Sequence, residues 1–231
     1  MEASLTNTRY TTSRDFSNFK RWYLICEFVV IFLLTPICIY LYKDHLKQYL
    51  IPYLLLTSAL CCVLLFFDRN FDRRRLWNSR LLRQHLRKVL YNFFVGALIS
   101  TAFMILFLPE VFLLFPKKIF YVWLTILLIY PIFSVYPQEI IFRAFFFHRY
   151  RNIFTTNMSM IFWSSLSFGL AHLFFGNWVA PVITFFAGIL FALTYLRTKS
   201  TLLVSIEHGL WGNLGFTLGI GLYFFTGNIP V

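Results

Sequence analysis

Charged residues are scarce in this chain. They make up 13% of its 231 residues, and only nine residues are Asp or Glu. A typical soluble domain carries about 25% charged residues, so this composition argues against one. Cysteines are also few: there are four, all in or beside apolar segments and none at a metal-ligand spacing. Neither a disulfide scaffold nor a cysteine-ligated metal site is indicated.

Apolar and aromatic residues are abundant instead. Hydrophobic residues make up 59% of the sequence, including 30 Phe, 13 Tyr and 6 Trp. They occur in long segments with the charged residues between them. Because a membrane-spanning helix needs about 20 mostly apolar residues, the pattern predicts an all-α polytopic integral membrane protein. The first 20 residues are polar, and the first apolar segment ends without a small-residue cleavage site, so no cleavable signal peptide is expected.

Seven apolar segments are predicted to span the membrane. They are 22–42, 49–67, 90–115, 119–147, 154–175, 178–196 and 201–226. The last segment is rich in glycine and could form two short spans, so the prediction is a bundle of seven or eight transmembrane helices. The predicted organisation is a cytoplasmic N-terminal tail (1–21), N-terminal transmembrane helices (22–118), a core (119–226) and a C-terminal tail (227–231).

The distribution of Lys and Arg predicts the orientation. Sixteen of the 21 basic residues lie in the N-terminal tail, in the 68–89 connection and after the fourth and sixth segments, whereas four lie in the remaining connections. Cytoplasmic loops carry such an excess, so we predict a multi-pass protein of a prokaryotic inner (plasma) membrane with a cytoplasmic N-terminus. The net charge of +12 is expected to face anionic membrane lipids. Nucleic acid is not an expected partner, because no nucleic-acid motif accompanies the charge.

The basic 68–89 connection has two interpretations. Its apolar residues repeat at helical spacing with arginines between them: Leu82, Leu86, Val89 and Leu90, with Arg80, Arg83 and Arg87. This pattern is typical of a basic amphipathic helix lying on the membrane surface. The alternative is a topology determinant with no further role, since the positive-inside rule alone accounts for the arginines.

Ionisable residues inside the apolar segments are the most informative residues of the chain. Each costs about 2.5–3.5 kcal/mol at the bilayer centre by insertion scales, so such residues are expected to face the bundle interior. Glu139 and Arg143 are four residues apart, which favours an ion pair on one helix face. His172 follows two small residues that let a second helix approach. Taken singly, each has a structural explanation: a salt bridge between helices, or a histidine bonded to a carbonyl.

A joint interpretation is stronger. Glu139, His172, His208 and Asn213 come from three different segments. A carboxylate can accept a proton from water, two neutral imidazoles can bind a metal or stabilise an oxyanion, and an amide can orient a carbonyl. We therefore predict that Glu139, His172 and His208 converge on one water-activating site within the membrane.

The same residues resemble three motifs of the CPBP (CAAX-protease and bacteriocin-processing, Abi-like) family of intramembrane proteases. The first motif, Glu-Glu-x-x-x-Arg, is matched by residues 138–143. The second, Phe-x-x-x-His, is matched by residues 168–172. The third, His-x-x-x-Asn or His-x-x-x-Asp, is matched loosely by residues 208–213. The resemblance covers about residues 119–226 and implies cleavage of peptide bonds in membrane-anchored, lipidated or transmembrane substrates.

The resemblance also implies the site residues. The expected catalytic set is Gln138, Glu139, Arg143, His172, His208 and Asn213. Glu139 would be the general base on a water and Arg143 would hold it in place, while the two histidines would bind a metal or stabilise the oxyanion. Some members of the family depend on a divalent metal such as zinc, for which Glu139, His172 and His208 would be the ligands.

Two departures from the family pattern leave alternatives open. Gln138 replaces the first motif glutamate, and an amide cannot act as a base. Asn213 is five residues from His208 and points about 140° away from it on a regular helix, unless the glycines between them permit a bulge. One alternative is therefore a non-catalytic relative: a membrane scaffold, chaperone or immunity protein. Another is a proton-relay transporter, although no inverted repeat supports it.

Overall fold

The computed structural model describes residues 18–79 and 82–225. These ranges consist of helices and their connections and contain no strand, so the predicted all-α polytopic membrane fold is confirmed. The predicted tail 227–231, most of the tail 1–21 and Arg80 lie outside the described residues.

Six helices in the described ranges are long and apolar enough to cross a membrane. They are α1 (Asn18–Leu41), α2 (Lys43–Phe67), α3 (Leu82–Phe107), α4 (Phe120–Arg149), α5 (Asn157–Phe175) and α6 (Val179–Thr198). The last predicted segment forms α7 (Thr201–Leu218). It carries Glu207, His208 and Asn213 and is not among the candidate spans, so the described residues contain six candidate spans where seven or eight were predicted.

Two predicted segments end earlier than expected. The 90–115 segment stops at Phe107, and a turn and a short helix, Leu114–Lys118, follow it. The cause is Pro109, because the residue before a proline disfavours the helical conformation. The 201–226 segment is a single helix that ends at Leu218, where Gly219 adopts a φ of 110° against the Val111 carbonyl. A short 3₁₀ turn follows it, so two short spans are not formed here.

The 68–89 connection does not form a separate surface helix. A 3₁₀ turn covers Arg73–Leu76, and α3 then begins at Leu82 and continues without a break into the membrane. The apolar repeat of this connection is therefore the first part of a transmembrane helix. The turn is fastened to the bundle, because the Ser200 hydroxyl donates a hydrogen bond to the Asn78 carbonyl.

The C-terminal half of α4 is the centre of the bundle. Residues 137–148 are buried without interruption. Two wide π-helical turns, Pro131–Val135 and Ile140–Phe145, interrupt its α-helical geometry. Proline lacks the backbone donor of a regular helix, and Pro131 begins the first of these turns. Glu139 lies between the two turns, a position in a helix that is often functional.

Small residues bring α5 and α6 together. A Cβ atom at Gly169 would lie 3.0 Å from the Pro181 carbonyl, and one at Gly188 would lie 3.0 Å from Ser165. Both glycines therefore permit close contact between the helix backbones. At this contact, the Gly188 carbonyl accepts a hydrogen bond from a side chain on α4, Arg143.

Candidate active site

Glu139 joins two partners from opposite directions. Its Oε1 lies 2.8 Å from His208 Nδ1, and its Oε2 lies 3.3 Å from Arg143 Nε. The ion pair that the four-residue spacing favoured is therefore present. The Glu139 side chain is 0% exposed and does not line the neighbouring cavity.

Arg143 is a buried cation that connects three helices. It donates a hydrogen bond of 2.7 Å to the Ser164 hydroxyl on α5 and one of 3.3 Å to the Gly188 carbonyl on α6. Its guanidinium lies 5.2 Å from the centre of the Phe168 ring. A buried charge is tolerated when a counter-charge and hydrogen bonds compensate its desolvation. Arg143 therefore fixes the position of Glu139 from behind.

His208 is held in one orientation from both sides. Because the Glu139 carboxylate only accepts hydrogen bonds, Nδ1 of His208 carries the proton and Nε2 is the acceptor. The Tyr130 hydroxyl donates to this Nε2 over 3.1 Å. The imidazole stacks on the Phe191 ring at a centroid distance of 4.6 Å. The result is a carboxylate–histidine dyad with a basic nitrogen on its far side.

His172 lies across the Phe168 ring from His208. Its Nδ1 donates to the Phe168 carbonyl over 2.7 Å, which leaves Nε2 as an acceptor. The Phe168 ring centre lies 4.8 Å from the His172 ring and 5.5 Å from the His208 ring. Both imidazoles line one cavity of about 960 Å³. The structure thus brings the two histidines to a shared cavity, which Glu139 reaches only through His208.

Gln138 also lines this cavity. Its amide nitrogen donates to the Ser134 hydroxyl over 2.7 Å. Its Oε1 is buried and has no hydrogen-bond partner in the protein. A buried polar atom normally has a partner, and this oxygen shares its lack of one with Glu139 Oε2 and Arg143 Nε nearby.

Asn213 does not join this group. Its amide nitrogen donates to the Leu127 carbonyl on α4 over 3.1 Å, and it does not line the cavity. α7 is a continuous α-helix, so the bulge that would have turned Asn213 toward His208 is not formed. Gly212 has another use, because a Cβ atom there would collide with the Tyr130 ring.

Four residues of the site were missed in the sequence. They are Tyr130, Ser134, Ser164 and Phe191. A serine or tyrosine within an apolar segment is a weak signal, since hydroxyls commonly bond to carbonyls of their own helix. The glycine at position 212 was the better clue to Tyr130, because it marks a close approach.

The predicted metal ligands do not fit a metal ion in this arrangement. Glu139 Oε1 is bonded to His208, and the buried Glu139 side chain does not line the cavity. The Tyr130 hydroxyl occupies Nε2 of His208, so of the two histidines only His172 has an unoccupied Nε2. Among the described residues, no group of three His, Cys, Asp or Glu side chains is placed to hold a metal. The three predicted ligands are therefore given roles that do not involve a metal ion.

The fold and the site together define a class of protein: a polytopic helical membrane protein with a buried Glu–His–Arg network beside an intramembrane cavity. Comparison with family models gives a match over part of the chain. Residues 116–214 match the model described as type II CAAX prenyl endopeptidase Rce1-like. This range contains all three motifs, and the resemblance to the CPBP family is confirmed there. Searches of curated proteins and of solved structures gave no significant match.

Proposed function

We propose that the protein is an intramembrane endopeptidase that hydrolyses a peptide bond of a membrane-anchored or lipidated substrate with an activated water. The match to a CAAX endopeptidase family supports the reaction class. The observation that carries the proposal is the Glu139–His208 dyad, whose imidazole lines an intramembrane cavity together with Gln138 and His172.

His208 is the general base of the proposed reaction. The Tyr130 hydroxyl, which donates to Nε2 in the structure, first turns away, and Nε2 then accepts a proton from a water in the cavity while the hydroxide attacks the scissile carbonyl. The Glu139 carboxylate, 2.8 Å from Nδ1, stabilises the imidazolium that forms, as the acid of a catalytic triad does. The imidazolium then gives the proton to the departing amine as the C–N bond breaks. Glu139 acts through His208 because its own side chain is fully buried and does not line the cavity.

Two groups can stabilise the tetrahedral oxyanion. The Gln138 amide uses one N–H for Ser134 and keeps a second for the cavity. The Tyr130 hydroxyl, once it has released His208 Nε2 to the water, can donate to the oxyanion instead. Removing one such donor typically costs about 10²–10³-fold in kcat. An amide at the first motif position is therefore compatible with catalysis when the base is His208.

Hydrolysis of a lipidated peptide by the purified protein in nanodiscs tests the proposal. Wild type should cleave, Gln138→Ala should cleave more slowly, and Glu139→Gln should lose about 10²–10⁴-fold, the usual contribution of a general base. An active Glu139→Gln would remove the dyad from the mechanism. If wild type is inactive and Gln138→Glu gains hydrolysis, the protein is a natural pseudoenzyme and serves as a non-catalytic membrane protein.

The proposed location is a plasma membrane with the N-terminus in the cytoplasm. Contacts gather the basic connections at one end of the bundle: Asn78 bonds to Ser200, and Asp68 bonds to His148. The test is accessibility of single cysteines to a membrane-impermeant reagent in a chain whose native cysteines are replaced. Asn70→Cys should react only after the membrane is opened, and Asp44→Cys at the other end should react in intact cells. The reverse pattern would refute this orientation.

A further inference from the structure

Three glycines lie at three-residue intervals on α7: Gly209, Gly212 and Gly215. The first two have packing partners. A Cβ atom at Gly209 would contact Pro131 at 3.5 Å, and one at Gly212 would collide with the Tyr130 ring. A Cβ atom at Gly215 would meet no atom within 4 Å. Packing therefore does not require a glycine at position 215, although glycine weakens a helix interior.

The empty space at Gly215 belongs to the cavity of the proposed active site. Gly215 lines the same cavity of about 960 Å³ as Gln138, His172 and His208. It follows His208 by seven residues, or about 10 Å of helix rise. The space thus lies away from the reacting groups and has no part in the proposed chemistry.

The lining of the cavity indicates its occupant. Beyond the polar end the lining is mostly aliphatic and aromatic, and its polar members there are Lys47, Ser100, Thr125 and Thr184. Phe133 on α4 and Phe186 on α6 both line the cavity, and they are 47% and 64% exposed. In a membrane-spanning bundle, an opening between these two helices faces the hydrocarbon region of the bilayer. A group that enters from the hydrocarbon region and remains there is a hydrocarbon chain.

We infer that Gly215 sets the length of the hydrocarbon chain that the cavity accepts, the chain being the lipid anchor of the substrate. The inference rests on the proposed function only in assigning the chain to a substrate. A side chain at position 215 would fill the space that receives the far end of a long chain. A short chain would not reach it and would bind as before.

Equilibrium binding tests the inference without hydrolysis. The probes are peptides with a reduced, uncleavable amide and a decyl, tetradecyl or octadecyl thioether, and the protein is held in nanodiscs. Wild type should bind the octadecyl peptide most tightly. Gly215→Leu should weaken octadecyl binding by about tenfold, since excluding two methylene groups from burial suffices for that, and should leave decyl binding unchanged.

Two controls isolate the bulk of the side chain. Gly215→Ala restores helix propensity with little added volume and should keep the wild-type length preference. Ala102→Leu adds similar bulk to an exposed face of α3 outside the cavity and should also keep it. If Gly215→Leu does not fold, Gly215→Cys can be folded first and then modified with a benzyl thiosulfonate, in a chain without the native cysteines.

The outcomes separate this inference from the proposed function. Equal weakening of all three chain lengths, or of none, overturns the role of Gly215. If a fluorescent phospholipid with free acyl chains shows the same dependence and competes with the peptides, the occupant is a bilayer lipid and the substrate assignment is overturned. A length preference that shifts in a protein without hydrolytic activity would leave the inference standing and refute the endopeptidase alone.

Discussion

Two Glu–Arg pairs connect α4 to its surroundings, and they are built differently. At one end of the bundle, Arg149 binds Glu27 on α1 through two parallel hydrogen bonds of 2.9 and 2.6 Å. The Tyr150 hydroxyl adds a third bond to the same carboxylate at 3.0 Å. The Arg149 side chain remains 37% exposed. This fork-to-fork geometry gives the strongest pairing available to the two groups, and it joins two helices.

The inner pair, Glu139 and Arg143, lacks this geometry of two parallel hydrogen bonds. Arg143 reaches Glu139 only through Nε at 3.3 Å, because the other carboxylate oxygen is directed to His208. Both side chains are 0% exposed. The weaker contact therefore lies where the two charges are fully desolvated and most need a partner. The outer pair is therefore arranged for stability, whereas the inner pair is arranged to hold a histidine in one tautomer.

The largest expected effect separates the two pairs by activity. Glu139→Gln and His208→Gln should each reduce hydrolysis by about 10²–10⁴-fold. Because residues of one catalytic unit are not additive, the double variant should be no slower than either single one. Glu27→Gln is the matched control and should keep nearly full kcat. If the fold loss in the initial rate of the double variant equals the product of the two single losses, the two residues act independently.

The next largest effect distinguishes the two Glu–Arg pairs by their contributions to the free energy of unfolding. Arg143→Met leaves the Glu139 carboxylate buried without a counter-charge, which should cost about 3–5 kcal/mol in the free energy of unfolding. Adding Glu139→Gln removes the uncompensated charge and should recover most of that loss without recovering activity. Unfolding in mixed micelles measures all three proteins. A double variant as unstable as Arg143→Met would show that the loss comes from packing.

A smaller effect is expected at the outer pair. Glu27→Gln should lower the free energy of unfolding by about 1 kcal/mol, because solvent screens a partly exposed ion pair. The same substitution type at Glu139 provides the comparison, measured on the same unfolding assay. A loss at Glu27 as large as that of Arg143→Met would show that the outer pair is effectively desolvated.

The sequence predicted the pairing of Glu139 with Arg143 but not the hydrogen bond between Glu139 and His208. Spacing along one helix is fixed by helix geometry, so Glu139 and Arg143 could be paired in advance. The contact of Glu139 with His208 spans 69 positions and depends on how α7 is rotated and shifted against α4. That placement comes from the glycine contacts at Pro131 and Tyr130, which a single sequence does not specify.

The same limit explains the other differences. The long apolar segments predicted the spans because only a closed helix satisfies the backbone within lipid. Their ends were less predictable, as the stop before Pro109 illustrates. The sequence predicted Glu139 as the base, since residue chemistry alone does not tell whether a carboxylate reaches a cavity. Asn213 was included because its residue type suited the motif, although its helical position carries it to the Leu127 carbonyl.

The smallest effect on stability is expected at Asp68, which is more exposed than Glu139 and Glu27. Asp68 follows α2, and its Oδ2 lies 2.7 Å from His148 Nε2, while the Asn70 backbone N–H donates to Oδ1 over 2.8 Å. Partial burial acts to raise the pKa of Asp68, but the hydrogen bonds from His148 and Asn70 outweigh it and hold the pKa below its ordinary value of 3.8. The folded protein therefore favours the carboxylate.

The sign of the pH dependence follows from this depressed pKa. The stabilisation is fully present above the unfolded pKa of about 4, and it is lost as the pH falls through the lower folded value. Because the Asp68 side chain is 40% exposed, the effect should be only about a few tenths of a kcal/mol. Asp68→Asn should thus be slightly less stable than wild type at pH 7, and the difference should shrink as the medium is acidified below the unfolded pKa. Arg75 and Arg151 are present in both proteins, so their own contributions largely cancel. His148 loses its carboxylate partner in the variant, so the two proteins are compared below the unfolded pKa of Asp68. A difference that stays constant or grows on acidification would mean that Asp68 acts through its shape and not its charge.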